Sequence, residues 1–365
     1  MNQELFNAIT LTQIKGIGHY NAKKIIDYFG SANALFDNLD DVGRVERISK
    51  NSFTKENINE ARKIAEKELA FIEKHHINTW LLHESNDYPE LLKPCADAPI
   101  VLYSKGNIKL NNTKILSIVG TRKITKYGKD LCKELIENLP QDTVILSGLA
   151  VGVDVEAHKW ALETEKQTVA VLAHGLDRIY PSTHSGIAKQ MLKNGGLITD
   201  YISGTNPDRE NFPKRNRIVA GISEATVVIE SAEKGGSLIT ANIANSYGRE
   251  VFSFPGKTSD LNSKGCNFLI KTQRAQLVEN AQDVLNYLGW TEKKIKEKPK
   301  QAQLALNLSD AEQKIYTLIA DKEKIGFDEL VVSLNMPASE LSVELLNLEF
   351  SGLINTLPGK VYEAK

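Results

Sequence analysis

Two glycine-rich turns with an arginine beside them are the residues of this chain that most directly suggest chemistry. The first turn reads Gly120-Thr121-Arg122, and the second covers residues 148–154, with glycine at Gly148 and Gly152. Glycine lacks a Cβ, so backbone N–H groups in such turns can approach an anion closely. The Arg122 guanidinium can bind a phosphate at two points. The two turns together predict an anion site, whereas either turn alone fits an ordinary strand-to-helix connection.

The spacing of these glycines does not match the common nucleotide-binding fingerprints. Neither the GxGxxG dinucleotide pattern nor the GxxxxGK[ST] phosphate loop occurs there, so no nucleotide cofactor is expected. Asp154 stands where a helix begins and fits an N-cap, and no GxSxG frames Ser147. No HExxH motif or carboxylate cluster for Mg²⁺ accompanies the other polar candidates, which are His158, His174 and Asp177. We therefore expect neither catalysis nor a metal site.

A basic segment with one aromatic ring is the sharpest local signal. Residues 209–217 carry four basic side chains around Phe212, namely Arg209, Lys214, Arg215 and Arg217. Basic groups that follow a backbone, with a ring on which a base can stack, are the parts of a single-strand site. A solvated basic loop with a buried phenylalanine is the alternative. We predict a loop here, and a third glycine turn follows at Gly235-Gly236-Ser237.

These residues must be positioned by a sheet whose strands alternate with helices. Apolar runs predict the strands, at 115–119, 144–147, 168–173, 196–201, 225–230, 250–254 and near 275–278. Helical segments between them require a mainly parallel, doubly wound sheet with right-handed crossovers. The glycine turns then lie at one edge of the sheet, where such folds bind ligands. The expected fold class is an extended Rossmann-like α/β domain.

The first 290 residues are expected to form a helical domain followed by the domain that contains this sheet. Residues 1–75 predict a helical domain of helix-hairpin-helix or SAM-like type, in which Ile14-Lys15-Gly16-Ile17-Gly18 is the hairpin. In that motif the hairpin amides bind a DNA phosphate, but plain helical packing explains the pattern equally well. Residues 76–290 form the Rossmann-like domain, with extra strands at 77–85 and 99–106.

The last part of the chain predicts a linker and a small separate domain. Residues 291–305 are charged and read as a solvated linker. Residues 306–365 predict three helices and a hairpin, which is a winged-helix-like arrangement. Its third helix, at 339–350, carries Glu340, Glu344 and Glu349 and neither lysine nor arginine. Because phosphates would be repelled, we favour a protein contact or dimerisation over DNA binding there.

Composition limits the class of protein. The chain has 365 residues, a formal net charge of −1, and three cysteines at Cys95, Cys132 and Cys266. The near-neutral charge confines any nucleic-acid surface to a local patch. The scattered, odd number of cysteines favours a reducing compartment. No run reaches the ~18 apolar residues of a membrane span and no signal peptide is recognisable, so we expect a cytoplasmic protein without membrane contact.

Seven motifs, in order along the chain, carry a likeness to a known family. They are SIVGTR at 117–122, SGLAVGVDVEAH at 147–158, GLDRIYP at 175–181, FPKRNRIVAGIS at 212–223, GGSLITANIA at 235–244, GREVFSFPG at 248–256 and GCNFLI at 265–270. Together they closely resemble the DNA-processing protein A (DprA/Smf) family. The helical N-terminus and the winged-helix-like tail are similar to arrangements found in many members.

The resemblance implies a role in natural transformation. It implies sequence-independent binding of single-stranded DNA, a homodimer, and loading of the recombinase RecA onto that strand. It also implies no catalysis and no nucleotide cofactor. By position, Arg122 should be the strongest DNA contact. Three positions depart from the family pattern, because His184 replaces an asparagine and Gln273-Arg274 replace a small residue and a glycine.

The residues and the resemblance together give one candidate DNA-binding set. It comprises Gly120, Thr121, Arg122, Ser147, Gly148, Gly152, Asp154, Arg209, Phe212, Lys214, Arg215, Asn216, Arg217, Gly235, Gly236 and Ser237. The competing hypothesis is a Rossmann-like nucleotide monophosphate hydrolase, a class that carries a PGGxGTxxE pattern. Residues 234–241 match its first half but lack the glutamate that would activate water. The sequence therefore favours a binding protein over an enzyme.

Overall fold

The chain forms two compact units. In the computed structural model they are Met1–Thr291 and Glu292–Lys365. The structure describes residues 2–291, 308–322 and 324–364. Except for its first residue, the predicted linker at 291–305 lies outside the described residues. No helix in the described ranges is long and apolar enough to cross a membrane.

A nine-stranded sheet organises the first unit. Its strands are β1 (Asn78–Leu81), β2 (Val101–Asn107), β3 (Lys114–Val119), β4 (Thr143–Ser147), β5 (Thr168–Val171), β6 (Gly195–Thr199), β7 (Ala225–Val228), β8 (Glu250–Ser253) and β9 (Gln276–Leu277). They lie in the order β1-β2-β6-β5-β4-β3-β7-β8-β9. Strands β3 to β9 pair in parallel, and β1 and β2 add antiparallel pairs at one side. This confirms the predicted mainly parallel sheet.

The strand order creates a crevice at the carboxyl end of the central strand. From β3 the chain builds outward through β4, β5 and β6, and it then returns to place β7 on the other side of β3. Connections from β3 and β7 therefore leave toward opposite faces. A crevice opens at this topological switch point, which is where open α/β sheets bind ligands.

Helices cover both faces of the sheet. They are α5 (Lys126–Asn138), α6 (Val153–Glu163), α7 (Ser185–Met191), α8 (Asn211–Ile222), α9 (Gly236–Ser246), α10 (Lys264–Lys271) and α11 (Ala281–Leu288). Alternate residues of β3 enter different cores, as the two-residue repeat of a strand requires. Leu116 and Ile118 pack with α5, α6 and α11, whereas Ile115 and Val119 belong to the core that contains α8 and α9.

The N-terminal helices are part of this unit, which differs from the separate domain expected at 1–75. They are α1 (Gln3–Gln13), α2 (His19–Phe29), α3 (Ala32–Asp37) and α4 (Lys55–His75). Leu5, Ile9 and Leu35 belong to the same hydrophobic core as Trp80 and Leu102 of the sheet. The predicted hairpin joins α1 to α2, with Gly16 at φ +85°. The apolar faces of these helices thus cover one face of the sheet.

The predicted loop at 209–217 is mostly helical, and this prediction was wrong. Helix α8 begins at Asn211, so Phe212 and the basic residues that follow it lie on the helix. Pro213 is tolerated because it occupies the first turn, where N–H groups have no acceptor within the helix. Ile218, Val219 and Ile222 bury the rest of α8 in the core. Helix α10 was also absent from the predicted elements.

The second unit has the predicted three helices and hairpin. Its elements are α12 (Asp310–Lys322), β10 (Lys324–Gly326), α13 (Phe327–Leu334), α14 (Ala338–Phe350), β11 (Ile354–Leu357) and β12 (Val361–Ala364). A capping box begins α12, since Glu312 N donates to Ser309 Oγ at 3.1 Å and Ser309 N donates to a Glu312 carboxylate oxygen at 2.7 Å. Ile315, Leu330 and Leu345 lie in a core of their own.

Candidate nucleic-acid interface

A cavity of about 570 Å³ occupies the crevice where β3, β4 and β7 end. We refer to it as the main cavity. Three glycine turns and the start of α8 line it together with two flanking segments, and the predicted residues among the lining are Gly120, Thr121, Arg122, Gly148, Asp154, Arg209, Phe212, Arg215, Asn216, Gly235, Gly236 and Ser237. Most of the candidate set therefore comes together at one edge of the sheet.

Close backbone packing explains the glycines of the first two turns. A Cβ on Gly120 would lie 2.4 Å from Val153 Cγ2 and 2.9 Å from the Glu230 carbonyl oxygen. Gly152 has φ +91°, and its Cβ would lie 2.2 Å from the Thr121 carbonyl oxygen. That same oxygen accepts a hydrogen bond from Val153 N at 3.1 Å. The turns after β3 and β4 thus pack backbone against backbone and form one rigid wall.

The third turn presents the beginning of a helix to the main cavity. Gly235 is the N-cap of α9, and Gly236 and Ser237 are its first residues. N–H groups in the first turn of a helix have no acceptor within that helix, and they favour an anion. Ser237 Oγ donates to Ser231 Oγ at 2.9 Å, which fixes this side chain. The turn can therefore offer backbone donors to a phosphate.

Arg122 and two aromatic rings form the exposed part of the main cavity. The Arg122 guanidinium lies 5.5 Å from the centroid of the Phe212 ring. The Phe212 and Tyr180 ring centroids are 6.0 Å apart, and Tyr180 is 50% exposed. Among the described residues Arg122 forms no ion pair with a carboxylate. The site thus combines a cation free to bind an anion with rings on which a base could stack.

Arg215 is a buried cation beneath the second turn. Its Nη1 donates to the Gly148 carbonyl at 2.9 Å and also to the Val171 carbonyl. A Cβ on Gly148 would lie 2.4 Å from Arg215 Nη2, so only glycine fits above the guanidinium. Burial raises the pKa of Asp154, and the positive charge of Arg215 opposes that rise. Arg215 therefore supports the turn and places positive charge in the floor of the main cavity.

Arg217 does not join the other predicted residues. It is buried, and its guanidinium binds the Asp200 carboxylate and the Asp97 carbonyl. In a helix, residues two positions apart point about 200° away from each other. Because Arg215 faces the main cavity, Arg217 must face the core behind it. The structure therefore places this arginine of the predicted set outside the lining of the main cavity.

Three more predicted residues lie outside the lining of the main cavity. Ser147 is buried and donates to the Ile118 carbonyl at 2.6 Å. Gly152 lies behind the wall, where it allows the close packing described above. Lys214 is exposed on α8, with its Nζ 3.8 Å from a Glu210 carboxylate oxygen. The first two support the site from behind, and Lys214 lies beside it.

The histidines considered as catalytic candidates are buried and already hydrogen-bonded. His158 Nδ1 and Thr168 Oγ1 are 2.7 Å apart, and burial lowers the pKa of His158 to about 3. His174 Nδ1 lies 2.9 Å from the Gly175 carbonyl oxygen. His184 replaces the asparagine of the family pattern, and its Nδ1 lies 2.9 Å from the Leu149 carbonyl oxygen. Leu149 has φ +62°, in the left-handed region. His184 thus supports the second glycine turn.

Sequence reasoning missed several residues that line the main cavity. They are Val119, Ala150, Tyr180, Pro207, Pro213, Val219, Ala232, Lys234, Ile239 and Thr240. Lys234 could have been included, since it directly precedes the third glycine turn. Tyr180 arrives from the connection after β5, and no local pattern predicts that it meets Phe212. No group of His, Cys, Asp and Glu in the described ranges could hold a metal ion.

Family models match most of the chain. The model described as DNA recombination-mediator protein A matches residues 79–289, and the model described as DprA winged helix domain matches residues 298–360. Protein Smf of Escherichia coli (strain K12) is 33% identical over 304 residues, which cover 82% of this chain and 80% of that protein. A putative DNA processing protein DprA of Mycobacterium tuberculosis is 33% identical over 271 residues, or 73% of this chain and 69% of that protein.

Solved structures of related proteins share the fold. DNA processing protein A from Streptococcus pneumoniae matches with a TM-score of 0.65 and 30% identity over 77% of this chain and 96% of that chain. DNA processing protein A from Helicobacter pylori, described for its single-stranded DNA binding mode, matches with a TM-score of 0.52 and 30% identity over 59% of this chain and 96% of that chain. From these matches, this chain belongs to the DNA recombination-mediator protein A family.

Proposed function

We propose that this protein binds single-stranded DNA, without sequence preference, in the main cavity. The observation that carries the proposal is the gathering of three glycine turns, Arg122 and two aromatic rings in one crevice. Turn amides and a guanidinium suit phosphates, and rings accept any base because every base has a π-face. The single-stranded DNA binding mode described for the H. pylori relative supports the same assignment.

The experiment that tests this proposal compares oligonucleotides by fluorescence anisotropy. Labelled single-stranded and double-stranded DNA of matched sequence are titrated with the protein at two salt concentrations. We expect tighter binding of the single strand, similar affinity for different sequences, and a log K that falls with log[salt] by about 0.7 for each phosphate bound. Binding that ignores salt, or that depends on base sequence, would contradict the proposal.

We propose that the bound strand is delivered to the recombinase RecA during natural transformation. Membership of a recombination-mediator family supports this step. A suitable test measures ATP hydrolysis by RecA on single-stranded DNA that is already coated with a single-strand-binding protein. This protein should shorten the lag before hydrolysis, and an unchanged lag would argue against loading.

We propose further that the protein acts as a homodimer in the cytoplasm. Strand β9 lies at an open edge of the sheet, and Leu277 on it is 44% exposed. An open edge can pair with another chain, and apolar residues there favour burial. Cys95, Cys132 and Cys266 are free and buried, which suits a reducing compartment.

The tail fits a protein contact better than DNA. On α14, Val343, Leu346 and Phe350 are 57%, 50% and 82% exposed and lie along one stripe. Glu340, Glu344 and Glu349 are on the same helix. An exposed apolar stripe among carboxylates repels phosphates and favours a protein partner.

The hydrolase alternative has less support. Asp154 is the one carboxylate that lines the main cavity in the described part of the chain. It accepts a hydrogen bond from Ala150 N at 3.3 Å and lies near the Arg215 charge. These contacts give it a structural role rather than that of a base for water. Release of free base from a nucleotide monophosphate would favour the alternative.

A further inference from the structure

A second cavity lies beside the main cavity and is unused by the site described so far. Its volume is about 780 Å³, and we refer to it as the side cavity. The start of α5 forms one wall and the connection from β8 to α10 forms the other. Its lining residues are Thr125, Lys126, Tyr127, Pro255, Gly256, Lys257, Asp260 and Ser263.

Tyr127 presents a fixed aromatic ring to the side cavity. The residue is 46% exposed, so part of the ring is open to solvent. Its hydroxyl donates to the Pro255 carbonyl at 2.9 Å and ties α5 to the end of β8. Burial raises the pKa of Tyr127, which keeps the hydroxyl protonated and this hydrogen bond in place. A half-exposed ring anchored at its far end is suited to stacking.

Two lysines and one carboxylate line the side cavity, and the Glu230 carboxylate behind it is held by Thr125 N and Thr125 Oγ1 at 2.8 and 2.6 Å. Lys126 and Lys257 are exposed and form no ion pair among the described residues. The one carboxylate in the lining, Asp260, is already bonded by Ser263 Oγ and by Asn262 N, each at 3.0 Å. Two free ammonium groups beside an aromatic ring match a phosphate joined to a base.

The two cavities share a short ridge. Arg122 lines the main cavity and Thr125 lines the side cavity. Three residues span at most about 11 Å, so a flexible strand that leaves Arg122 can reach the side cavity at once. Asn262 holds the ridge in place, since its Nδ2 donates to the Lys123 carbonyl at 3.3 Å and its own carbonyl accepts from Ser231 N at 2.7 Å.

We propose that the side cavity is a second nucleotide subsite for the same single strand. One base stacks on Tyr127, and the adjoining phosphates bind Lys126 and Lys257. This inference rests on the proposed function, because the strand must first occupy the main cavity. It predicts a site that is filled only when the oligonucleotide is long enough to cross the ridge.

Photo-crosslinking locates the base directly. Oligothymidines with a single 5-iodouracil at successive positions are irradiated with the full-length protein, and the crosslinked peptides are sequenced by mass spectrometry. We expect one position to crosslink to Tyr127 and another to the rings of the main cavity. Tyr28, which is 52% exposed on α2, serves as the control ring and should not react. Crosslinks confined to the main cavity would overturn the side-cavity proposal but leave the proposed function intact.

Affinity as a function of length gives an independent readout. Tyr127→Ala should weaken binding of long oligonucleotides by about 5- to 100-fold and leave the shortest bound oligonucleotide unaffected. Tyr127→Phe keeps the ring but loses the hydrogen bond to Pro255, so it should retain most of the affinity that Tyr127→Ala loses. Lys257→Glu should reproduce the loss for long strands without changing the ring. Equal losses at every length, or none, would overturn the subsite. Failure of the parent to bind single strands would overturn both proposals.

Discussion

Two arginines serve the main cavity in different ways. Arg122 lies beside the Phe212 ring on the exposed side, and Arg215 lies beneath Gly148, where it binds two backbone carbonyls. The exposed guanidinium has donors left for a phosphate. The buried one has used Nη1 to hold the turn. Substitution of the first should change binding, and substitution of the second should change the shape of the site as well.

Replacing Arg122 with alanine should weaken single-strand binding by at least about tenfold, because a charged hydrogen bond to phosphate is lost. The slope of log K against log[salt] should fall by about 0.7, and all sequences should be affected alike. Anisotropy titrations at several salt concentrations measure both quantities. Arg44→Ala is the matched control, since the Arg44 side chain is 70% exposed and this residue does not line the main cavity. Equal binding by both variants would remove Arg122 from the site.

His158 should make stability depend on pH. Its pKa is lowered from 6.5 to about 3 by burial, so the folded protein keeps this ring neutral while the unfolded chain takes up a proton. Stability is therefore full above pH 6.5 and is lost as the pH falls toward 3, by about 1.4 kcal/mol for each pH unit. Urea unfolding from pH 7 to pH 4 measures this slope. His158→Gln should flatten it, and an unchanged slope would assign the effect to other groups.

Residue types at the site were predictable from sequence, but their directions were not. Gly120, Gly148 and Arg122 follow buried strands, so their gathering at one edge follows from the alternation of strands and helices. Arg215 and Arg217 point in opposite directions because both lie on α8, which begins at Asn211. The basic composition of this segment led to the prediction of a loop, from which these directions could not be derived. Tyr180 meets Phe212 through a long connection, and only the folded chain reveals that contact.

Helix α8 links the site to the core through its two faces. One face carries Phe212, Arg215 and Asn216 to the main cavity. The other face buries Arg217 against Asp200, whose carboxylate also lies 3.4 Å from His19 Nε2 of α2. The N-terminal helices, the sheet and α8 therefore meet at one buried charge cluster.

Arg217→Ala should destabilise the fold rather than remove a DNA contact. The side chains of Arg217 and Asp200 are 7% and 2% exposed, so the variant leaves a buried carboxylate without this partner. A loss of about 3–5 kcal/mol in the free energy of unfolding is expected, as measured by urea denaturation. Lys214→Ala on the exposed face should change it by less than about 0.5 kcal/mol. A stable Arg217→Ala protein that no longer binds oligonucleotides would place this arginine at the DNA instead.

Gly120→Ala tests the packing between the first two turns. The new methyl group would meet Val153 and the Glu230 carbonyl, so we expect a loss of about 1–3 kcal/mol in unfolding free energy. Gly236→Ala is the control, because no atom lies within 4 Å of a Cβ built there. Thermal and urea unfolding of both variants give the comparison. Equal stability of the two would mean that the turns can move apart without cost.

On the scale of the whole molecule, charge is local rather than global. The formal net charge is −1, yet the main cavity and its ridge carry Arg122, Lys123, Arg209 and Lys234. Binding should therefore depend strongly on salt although the protein as a whole is nearly neutral. The nine-stranded sheet supplies the rigid frame that holds this patch together.

The proposed dimer is tested at its apolar edge. Leu277→Lys introduces a charge on β9, where a second copy would pair, so the variant should elute as a monomer in size-exclusion chromatography with light scattering. Its far-ultraviolet circular dichroism should stay that of the parent, because Leu277 is 44% exposed. Leu261→Lys is the control, since Leu261 is 68% exposed on another connection. A dimeric Leu277→Lys protein would move the interface elsewhere.

The fold class followed from the sequence better than the division into domains did. The continuous apolar run of β3 and the glycine turns after the strands are local signals, and they indicate a doubly wound sheet. Whether residues 1–75 fold alone depends on which surface their apolar faces cover. That surface includes Trp80 and Leu102, and the pattern of apolar residues in the helices does not predict which surface they cover.

Helices α1 to α4 share a core with the sheet, so the folded unit begins earlier in the chain than the region matched by the family model. The region matched by the family model starts at residue 79. Leu5, Ile9 and Leu35 precede that region, but they belong to the same hydrophobic core as side chains within it. A protein shortened to the matched region would expose the apolar side chains that α1 to α4 now cover, and it would be prone to aggregate.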